Sequence, residues 1–295
     1  MTDHIRVLTP HKNILAFYDG RVEGYRFLPE DNWVDDGALS LGIASYAIIS
    51  GDEALIYDTH ISPTYGAYIR DHLKSIGIKK MTVLLSHWHL DHVAGTKIFA
   101  DCTVIANKKT ADHLAQHKAA IEDGSHHGFP VINPLILPTQ TFEGEMNFKL
   151  GDLKLTFIEC NIHSDDATVV WIEDLEILLA GDTMEDTVTY VGEPQDFDTH
   201  LSELDRLWAL APNRILLNHG DPEIIALGGY EKTIIRATQQ YIRMLKRCAT
   251  EPELRALPLQ DFIAGPLQMG WVNLFAPYEG VHAQNIERVL EAKLS

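Results

Sequence analysis

The feature that most constrains this 295-residue chain is a short apolar stretch that runs directly into a cluster of polar side chains. Residues 81–85 read as a buried strand, and the segment Ser-His-Trp-His-Leu-Asp-His follows at 86–92. This segment contains a dense set of potential metal ligands, namely His87, His89, Asp91 and His92. Side chains at i and i+2 of an extended segment point the same way, so the two leading histidines can bind one ion while the last two ligands face a second. Imidazole and carboxylate donors without thiolates favour a zinc, manganese or iron site that performs hydrolysis over a closed structural zinc site.

The rest of the chain alternates between short apolar strands and amphipathic helices. Strands are predicted at residues 43–50 and 54–57, joined by a turn at 51–53. Further strands are predicted at 81–85, 103–106, 147–150, 153–159, 168–172, 176–180 and 214–218. Helices are predicted at 63–76, 94–99, 109–118, 198–209, 230–248 and 284–294. This order is typical of a layered α/β fold, and no low-complexity linker marks a second domain. We therefore predict one domain over residues 1–295, in which 222–295 form a helical C-terminal extension.

Charge and composition exclude several classes of partner. The 42 acidic and 24 basic side chains give a formal charge of −18, which would repel a phosphate backbone, so no nucleic-acid partner is expected. The N-terminus lacks the apolar core of a signal peptide, and no stretch approaches about 18 consecutive apolar residues. We therefore expect a cytoplasmic location and no contact with a membrane. The three cysteines are widely separated and are expected to be reduced thiols. Homo-oligomer formation is left open.

Three further polar residues share the placement of the first cluster, because each lies just after an apolar strand or at the start of the next loop. These residues are His163, Asp182 and His219. Sheet folds place their active sites at such positions. Each residue alone is compatible with a structural role, such as a hydrogen-bonded histidine or a turn aspartate. Together with the first cluster, however, they form an ordered set.

This ordered set resembles the metallo-β-lactamase superfamily from about residue 40 to residue 221. Asp58 is similar to the first motif of the family, and the His-x-His-x-Asp-His run is similar to the second. His163 corresponds to the third motif, Gly181-Asp182 to the fourth and Asn218-His219-Gly220 to the fifth. The resemblance implies an α/β (α+β) fold, a four-layer αββα sandwich of two sheets covered by helices. Its metals would lie at one edge, between the sheets.

The resemblance also implies a division of the ligands between two divalent ions, for which zinc is favoured and iron or manganese are alternatives. His87, His89 and His163 would hold one ion, Asp91, His92 and His219 the other, and Asp182 would bridge them. A hydroxide shared by the ions would be the nucleophile, which gives Asp91 and Asp182 a part in catalysis. Asp58 is interpreted either as an acceptor for a ligand imidazole N–H or as a turn former. His60 stands where the family pattern has glycine, and it is expected to face solvent.

Asp182 also narrows the predicted chemistry, because the family's true β-lactamases usually carry cysteine or serine at this place. Hydrolysis of a small-molecule ester, lactone or thioester is therefore favoured. Alternatives are a mononuclear iron persulfide dioxygenase, a phosphodiesterase and a β-lactamase. Tyr190 is predicted to donate a hydrogen bond to a developing oxyanion, as in lactonase relatives. The aromatic segment 270–278 would either form a wall of the substrate pocket or pack in the core.

Overall fold

The computed structural model describes residue 2 and residues 4–292, and it contains two β-sheets with helices packed against them. In the first sheet of the described chain the strands follow the order β1 Arg6–His11, β2 Ile14–Asp19, β3 Ile43–Ser50, β4 Glu53–Tyr57, β5 Lys80–Leu84, β6 Thr103–Asn107 and β7 Gln140–Phe142. Strands β1 to β4 pair antiparallel, and β4 to β7 pair parallel. Parallel neighbours need a crossover connection, and the helices between them supply it.

The second sheet is formed by β8 Glu145–Leu150, β9 Leu153–Ile162, β10 Ser164–Ile172, β11 Ile177–Gly181 and β12 Arg214–Leu217. Its spatial order is β12-β11-β10-β9-β8 for the part of the chain described. Strands β8 to β11 are antiparallel, and β12 joins β11 in parallel.

The helices lie between these strands and after them. Their bounds are α1 Pro63–Ser75, α2 Leu90–Val93, α3 Lys108–Asp123, α4 Phe197–Ala209, α5 Pro222–Ala226, α6 Thr233–Cys248, α7 Leu259–Phe262, α8 Ala264–Gln268 and α9 Tyr278–Glu291. A π-helix covers Val34–Leu39, and short 3₁₀ turns cover Thr96–Phe99, Glu173–Leu175, Pro194–Asp196 and Pro252–Ala256. Ser62 caps the start of α1 and Asn107 caps the start of α3, each by accepting a backbone N–H. Within the described residues, no helix combines the length and apolar character needed to cross a membrane.

Alternating side chains explain why both faces of the first sheet are covered. Successive side chains of a strand point to opposite faces, and in β4 both sets are apolar. Leu55 and Tyr57 point into the core shared with the second sheet, whereas Ala54 and Ile56 pack with α1 and α3 on the other face. Helix α4 packs against β9 of the second sheet. The expected fold of two sheets with helices is therefore confirmed.

Three buried tyrosines of the first sheet cross to the second sheet. Tyr18 donates its hydroxyl proton to the carbonyl of Gly220, Tyr46 to that of Leu217 and Tyr57 to that of Thr168. Each hydroxyl is buried, so each needs a hydrogen-bond partner in the interior. The acceptors lie in or just after strands of the second sheet, near the ends that carry the predicted site. These bonds therefore fix how the two sheets are placed relative to each other beside the site.

The observed elements depart from the predicted ones mainly where a local pattern is weak. The helix predicted at 94–99 is a shorter 3₁₀ helix over Thr96–Phe99, which begins after Gly95 and is separate from α2. Strands β1, β2 and β7 were not predicted. The last helix begins at Tyr278, after Pro277, rather than at residue 284. Leu294, at the predicted end of that helix, lies outside the described residues.

Replacing Tyr57 with phenylalanine should destabilise the protein by about 1–2 kcal/mol, because the buried carbonyl of Thr168 loses a donor while the packing volume stays nearly unchanged. Urea denaturation would measure this loss as a lower unfolding midpoint. Tyr68→Phe, at a partly exposed position on α1, is the matched control and should leave the midpoint nearly unchanged. Equal midpoints for the two variants would contradict the bridging role of Tyr57.

Candidate metal centre

The predicted ligands come together at one edge of the two sheets because each follows a strand that ends there. The His87–His92 segment follows β5, and its last part forms the first turn of α2. His163 lies in the turn between β9 and β10, Asp182 directly follows β11, and His219 lies just beyond β12. Gly181 must be glycine, since its φ is +57° and an added Cβ would lie 2.8 Å from the Tyr57 hydroxyl. The local backbone thus sets where Asp182 enters the site.

The carboxylate of Asp182 lies at the centre of the cluster. Its Oδ2 is 3.0 Å from Nε2 of His92 and 3.3 Å from Nε2 of His219. The same oxygen is 3.6 Å from Nε2 of His87 and 3.7 Å from Nε2 of His163. One carboxylate oxygen therefore faces imidazole nitrogens from both halves of the ordered set.

Two compact groups of donor atoms surround this carboxylate. Nε2 of His163 lies 3.0 Å from Nδ1 of His89, and these two residues form one group with His87 whose donor atoms lie within 4.8 Å of one another. The second group is Asp91, His92 and His219, with Oδ2 of Asp91 3.3 Å from Nε2 of His219. The predicted ligands are thus brought together. Their donor atoms also form two further, overlapping groups, in which Asp182 joins His87 and His92 or joins His163 and Glu185.

The histidines are oriented by hydrogen bonds on the side that faces away from the centre. Nδ1 of His163 lies 3.1 Å from the carbonyl of Tyr190, and Nδ1 of His219 lies 2.7 Å from the carbonyl of Gly42. A carbonyl only accepts, so Nδ1 carries the proton in both rings and the lone pair of Nε2 faces the cluster. This is the arrangement in which an imidazole is ready to bind a metal ion.

Asp58 orients the other half of the site. It is fully buried, and it accepts hydrogen bonds from the backbone N and the hydroxyl of Ser86, both at 2.7 Å, and from Nδ2 of Asn218 at 2.6 Å. Nδ1 of His92 lies 2.9 Å from the same carboxylate. Since the Ser86 hydroxyl proton points to Asp58, the oxygen of Ser86 accepts from Nδ1 of His87 at 2.9 Å. Asp58 therefore acts as the imidazole acceptor, which is one of the two interpretations of its role.

The donor atoms fit a divalent metal ion. Nε2 of His87 and Oδ1 of Asp182 are buried without a hydrogen-bond partner among the described residues, which is costly unless a bound ion or water satisfies them. Burial lowers the pKa of His87 well below its usual value and the pKa of His89 to about 3, so both rings are neutral, as metal binding requires. Burial raises the pKa of Asp182, but His92 and His219 outweigh it and hold this pKa well below the usual range. Burial lowers the pKa of His92 and His219, but the neighbouring carboxylates, Asp182 first, outweigh it and raise both pKa values well above the usual one. The metal-free centre therefore holds neutral imidazoles at His87 and His89 and an ionised carboxylate at Asp182 that is paired with His92 and His219.

A cavity of about 280 Å³ opens onto the cluster. Asp182, His163 and His219 contribute to its wall, and Tyr190 stands beside His163 with the two ring centroids 5.7 Å apart. Burial raises the pKa of Tyr190, so its hydroxyl stays protonated and can donate. The arrangement is a metal-type donor cluster at the base of a cavity for a small molecule.

His60 corrects one expectation, because it does not face solvent. It is fully buried, its ring lies beside Tyr65 with centroids 4.8 Å apart, and it adopts a φ of +67°. It does not line the cavity. Its Nε2 has no hydrogen-bond partner within the described part of the chain. His60 is therefore a buried, neutral residue packed behind the ligands.

Glu185 is a residue of the site that the sequence did not single out. Its Oε1 accepts from the backbone N of Tyr190 at 3.0 Å and lies 3.5 Å from Nδ1 of His163. Its Oε2 accepts from the hydroxyl of Tyr278 at 3.0 Å. Glu185 also lines the cavity. An acidic residue three positions after Asp182 is the signal that could have drawn attention to it.

The C-terminal helix α9 holds the loop that carries Asp182, Glu185 and Tyr190. Asn285 is fully buried, and its Nδ2 donates to the carbonyl of Thr189 at 2.9 Å. Its Oδ1 accepts from the backbone N of Val191 at 2.9 Å. One side chain of α9 thus fixes the backbone on both sides of Tyr190, whose carbonyl orients His163.

Two remaining C-terminal features take structural roles. Trp271 and Phe275 of the aromatic segment pack partly buried against the main core, and the cavity wall is formed instead by Val281 and Gln284 of α9. On α6, Arg236 pairs with Asp205 and Lys246 with Asp198, away from the cavity. The aromatic segment is therefore core packing.

Comparison with known proteins agrees with this geometry. A family model described as "Metallo-beta-lactamase superfamily" matches residues 40–219. The chain is similar to "Beta-lactamase-like protein 2 homolog" of Drosophila melanogaster, with 24% identity over 216 residues that cover 72% of this chain and 70% of the relative. It is also similar to "Probable metallo-hydrolase YqgX" of Bacillus subtilis (strain 168), with 22% identity over 147 residues that cover 48% of this chain and 65% of the relative.

Solved structures support the fold. A metallo-beta-lactamase from Pontibacter korlensis superimposes with a TM-score of 0.57 at 15% identity, covering 79% of this chain and 99% of that chain. A structure of VMB-1 superimposes with a TM-score of 0.58 at 15% identity, covering 81% of this chain and 96% of that chain. At this identity the likeness shows a shared fold and carries no substrate with it.

Replacing Asn285 with alanine should lower the turnover number about ten- to hundredfold for any substrate of this site, because the loop carrying Asp182 and Tyr190 loses its alignment. The Michaelis constant should change little. The matched control is Gln239→Ala on α6, which removes a buried amide that donates to the carbonyl of Leu201 and the carboxylate of Asp205 on α4. Calorimetry should show similar losses of Tm for both variants. An equal loss of turnover in the control would contradict a positioning role for Asn285.

Replacing His60 with asparagine, which tolerates a positive φ, should make the metal-free protein less sensitive to acid. Burial lowers the pKa of His60 to about 3. As the pH drops below about 6.5 the unfolded chain binds a proton at this residue and the folded chain does not, so stability is lost. Between pH 7 and pH 5 the wild type should lose about 2 kcal/mol more free energy of unfolding than the variant. If the free energies of unfolding of the wild type and the variant fell in parallel between pH 7 and pH 5, His60 would not be held neutral in the folded protein.

Proposed function

The chain belongs to the metallo-beta-lactamase superfamily, and from this we propose that it is a dinuclear metal-dependent hydrolase of a small carboxylic ester, lactone or thioester. The observation that supports the proposal is the pair of donor groups around Asp182, in which hydrogen bonds orient four of the five candidate histidines, His87, His92, His163 and His219. A member that had lost its chemistry would be expected to lose ligands, and all the predicted donors remain in this chain.

We assign the two ions to the two donor groups. His87, His89 and His163 would hold one, Asp91, His92 and His219 the other, and Asp182 would contact both. Zinc is the favoured metal, since imidazole and carboxylate donors without thiolates suit a catalytic site of this kind. When bound, such ions generate the nucleophile from water near neutral pH and polarise the scissile carbonyl.

The residues of the chain contribute orientation and protection from bulk solvent. Asp58 and the carbonyls of Gly42 and Tyr190 keep the imidazole rings in place, so little reorganisation is needed during the reaction. Tyr190 lines the cavity, and its protonated hydroxyl would donate to the developing oxyanion. Glu185 holds the backbone of Tyr190 and approaches His163, so it would position both residues.

Asp182 supports ester-type substrates over β-lactams. In the resemblance on which this rests, true β-lactamases usually carry cysteine or serine at the matching place. The basic residues of α6 that could recognise the carboxylates of glutathione lie outside the cavity wall. We therefore place the substrate among small esters, lactones and thioesters, with action in the cytoplasm.

Metal analysis of the purified protein tests the proposal most directly. We expect about two divalent metal ions per chain, with zinc as the favoured metal. His89→Ala and Asp182→Ala should each lower the metal content and abolish hydrolysis, while circular dichroism shows a folded protein. His72→Ala, at a partly exposed histidine on α1, is the control and should keep both metal and activity.

Activity measurements distinguish the proposed chemistry from its alternatives. The metal-loaded protein should hydrolyse members of a panel of esters, lactones and thioesters, and chelation should stop the reaction. One iron per chain with oxygen-dependent oxidation of a persulfide would contradict the hydrolase proposal. Equal hydrolysis by metal-free protein would contradict the role of the metal centre.

A further inference from the structure

The described walls of the cavity contain several carboxylates and neither lysine nor arginine. Beyond the candidate ligands, Asp36 and Glu185 contribute carboxylates to the wall. Asp36 is exposed, and no ion pair is formed with it in the described chain. Apart from the ions that the metal centre would hold, the wall offers no lysine or arginine to an anion that approaches this carboxylate.

The neighbouring arginines do not supply that cation. Arg21 donates to the carbonyls of Leu41 and Asp186 and lies over the ring of Phe275, so its guanidinium is already occupied. Arg288 lies over the Tyr190 ring, 4.8 Å from its centroid, and lines an adjoining cavity that also contains Glu193. Recognition of a carboxylate or phosphate normally uses a lysine or arginine that points into the site.

Away from the candidate metal ligands, the cavity wall that a substrate would contact is formed by apolar side chains. These side chains are Trp33, Leu41, Leu90 and Val281. The indole of Trp33 donates to the carbonyl of Pro130 at 3.0 Å, which joins this wall to the loop at 127–131. That loop exposes Phe129 by 63% and Val131 by 40%, and its His127 lines the cavity. An apolar rim thus continues from the cavity wall to the surface.

Resting on the proposed function, we infer that the substrate is an uncharged ester, lactone or thioester whose non-reacting part is a short apolar chain or ring. A carboxylate on that part would lose hydration and face Asp36 without a partner, so anionic analogues are rejected. The cavity of about 280 Å³ lies at the lower end of the range for ligand sites, which limits the size of the group it encloses.

Matched pairs of substrates test this selectivity. The neutral members are 4-nitrophenyl pentanoate, S-pentanoyl-N-acetylcysteamine and δ-nonalactone, and each is compared with an analogue of similar size that ends in a carboxylate. For the first, the analogue is the 4-nitrophenyl monoester of glutaric acid. We expect kcat/KM to be at least about tenfold higher for the neutral member, since a carboxylate that exchanges water for apolar side chains without a basic partner is costly.

The length of the acyl group in the neutral 4-nitrophenyl esters provides a second test of the apolar wall. Each methylene added between acetate and pentanoate should raise kcat/KM by up to about fourfold, as expected for burial against apolar side chains. A flat series would show that the apolar wall does not contact the acyl group, and it would overturn the inference.

Asp36→Lys provides the test on the protein side. The variant should raise the ratio of kcat/KM for the glutarate monoester to kcat/KM for the pentanoate about tenfold, because the reversed charge acts on the anionic substrate more strongly than on the neutral one. An unchanged ratio would overturn the role of Asp36 in selectivity. Asp71→Lys makes the same change of net charge at an exposed site on α1 and should alter neither value.

The outcomes separate this inference from the proposed function. Hydrolysis of neutral and anionic members with equal efficiency would overturn the selectivity and leave the hydrolase proposal intact. Failure of the metal-loaded protein to hydrolyse any substrate would overturn the proposed function, and the inference with it.

Discussion

The structure depends on one buried carboxylate, that of Asp58. It accepts hydrogen bonds from Ser86, His92 and Asn218, and so it joins the end of β4 to the ends of β5 and β12 across the two sheets. A buried carboxylate is tolerated only when its oxygens are satisfied, and here three residues from two separate segments satisfy them. The same bonds that make its burial possible also set the orientation of His92 and, through Ser86, of His87. Sheet packing and ligand geometry are therefore two results of one interaction.

The sequence predicted those parts of the molecule that are encoded locally. The apolar runs of β3, β5 and β12 and the polar residues after them lie next to each other in the chain, so both strands and ligands could be predicted. Glu185 and Asn285 could not, because their roles arise from contacts with Tyr278 and with the loop around Tyr190, on elements far apart in sequence. The burial of His60 also depends on packing around it rather than on its neighbours in the chain. Strand β1 contains Pro10, which weakens the pattern of a strand.

Ligands and substrate walls are encoded in different ways. The donors lie in short segments at the ends of strands, whereas the apolar wall is assembled from the π-helix region, the 127–131 loop and α9. These wall segments lie mostly on the surface, where substitution costs little stability. The wall can therefore change while the donor groups stay the same. This separation explains how one metal centre is compatible with many substrates. It also explains why the metal-ligating residues alone do not identify the substrate.

The use of backbone carbonyls to orient His163 and His219 has a consequence for how the site tolerates change. A side-chain acceptor such as Asp58 can be lost through a single substitution, but no point substitution deletes the carbonyl of Gly42 or Tyr190. The acceptors of these two histidines are thus protected from deletion by a single substitution and remain exposed to insertions or deletions that shift the backbone. A mutational scan would still detect Gly42, but through its φ of +79° and an added Cβ that would clash with the Tyr18 hydroxyl rather than through loss of its carbonyl. The length of the two loops would be the heritable variable that moves His163 and His219.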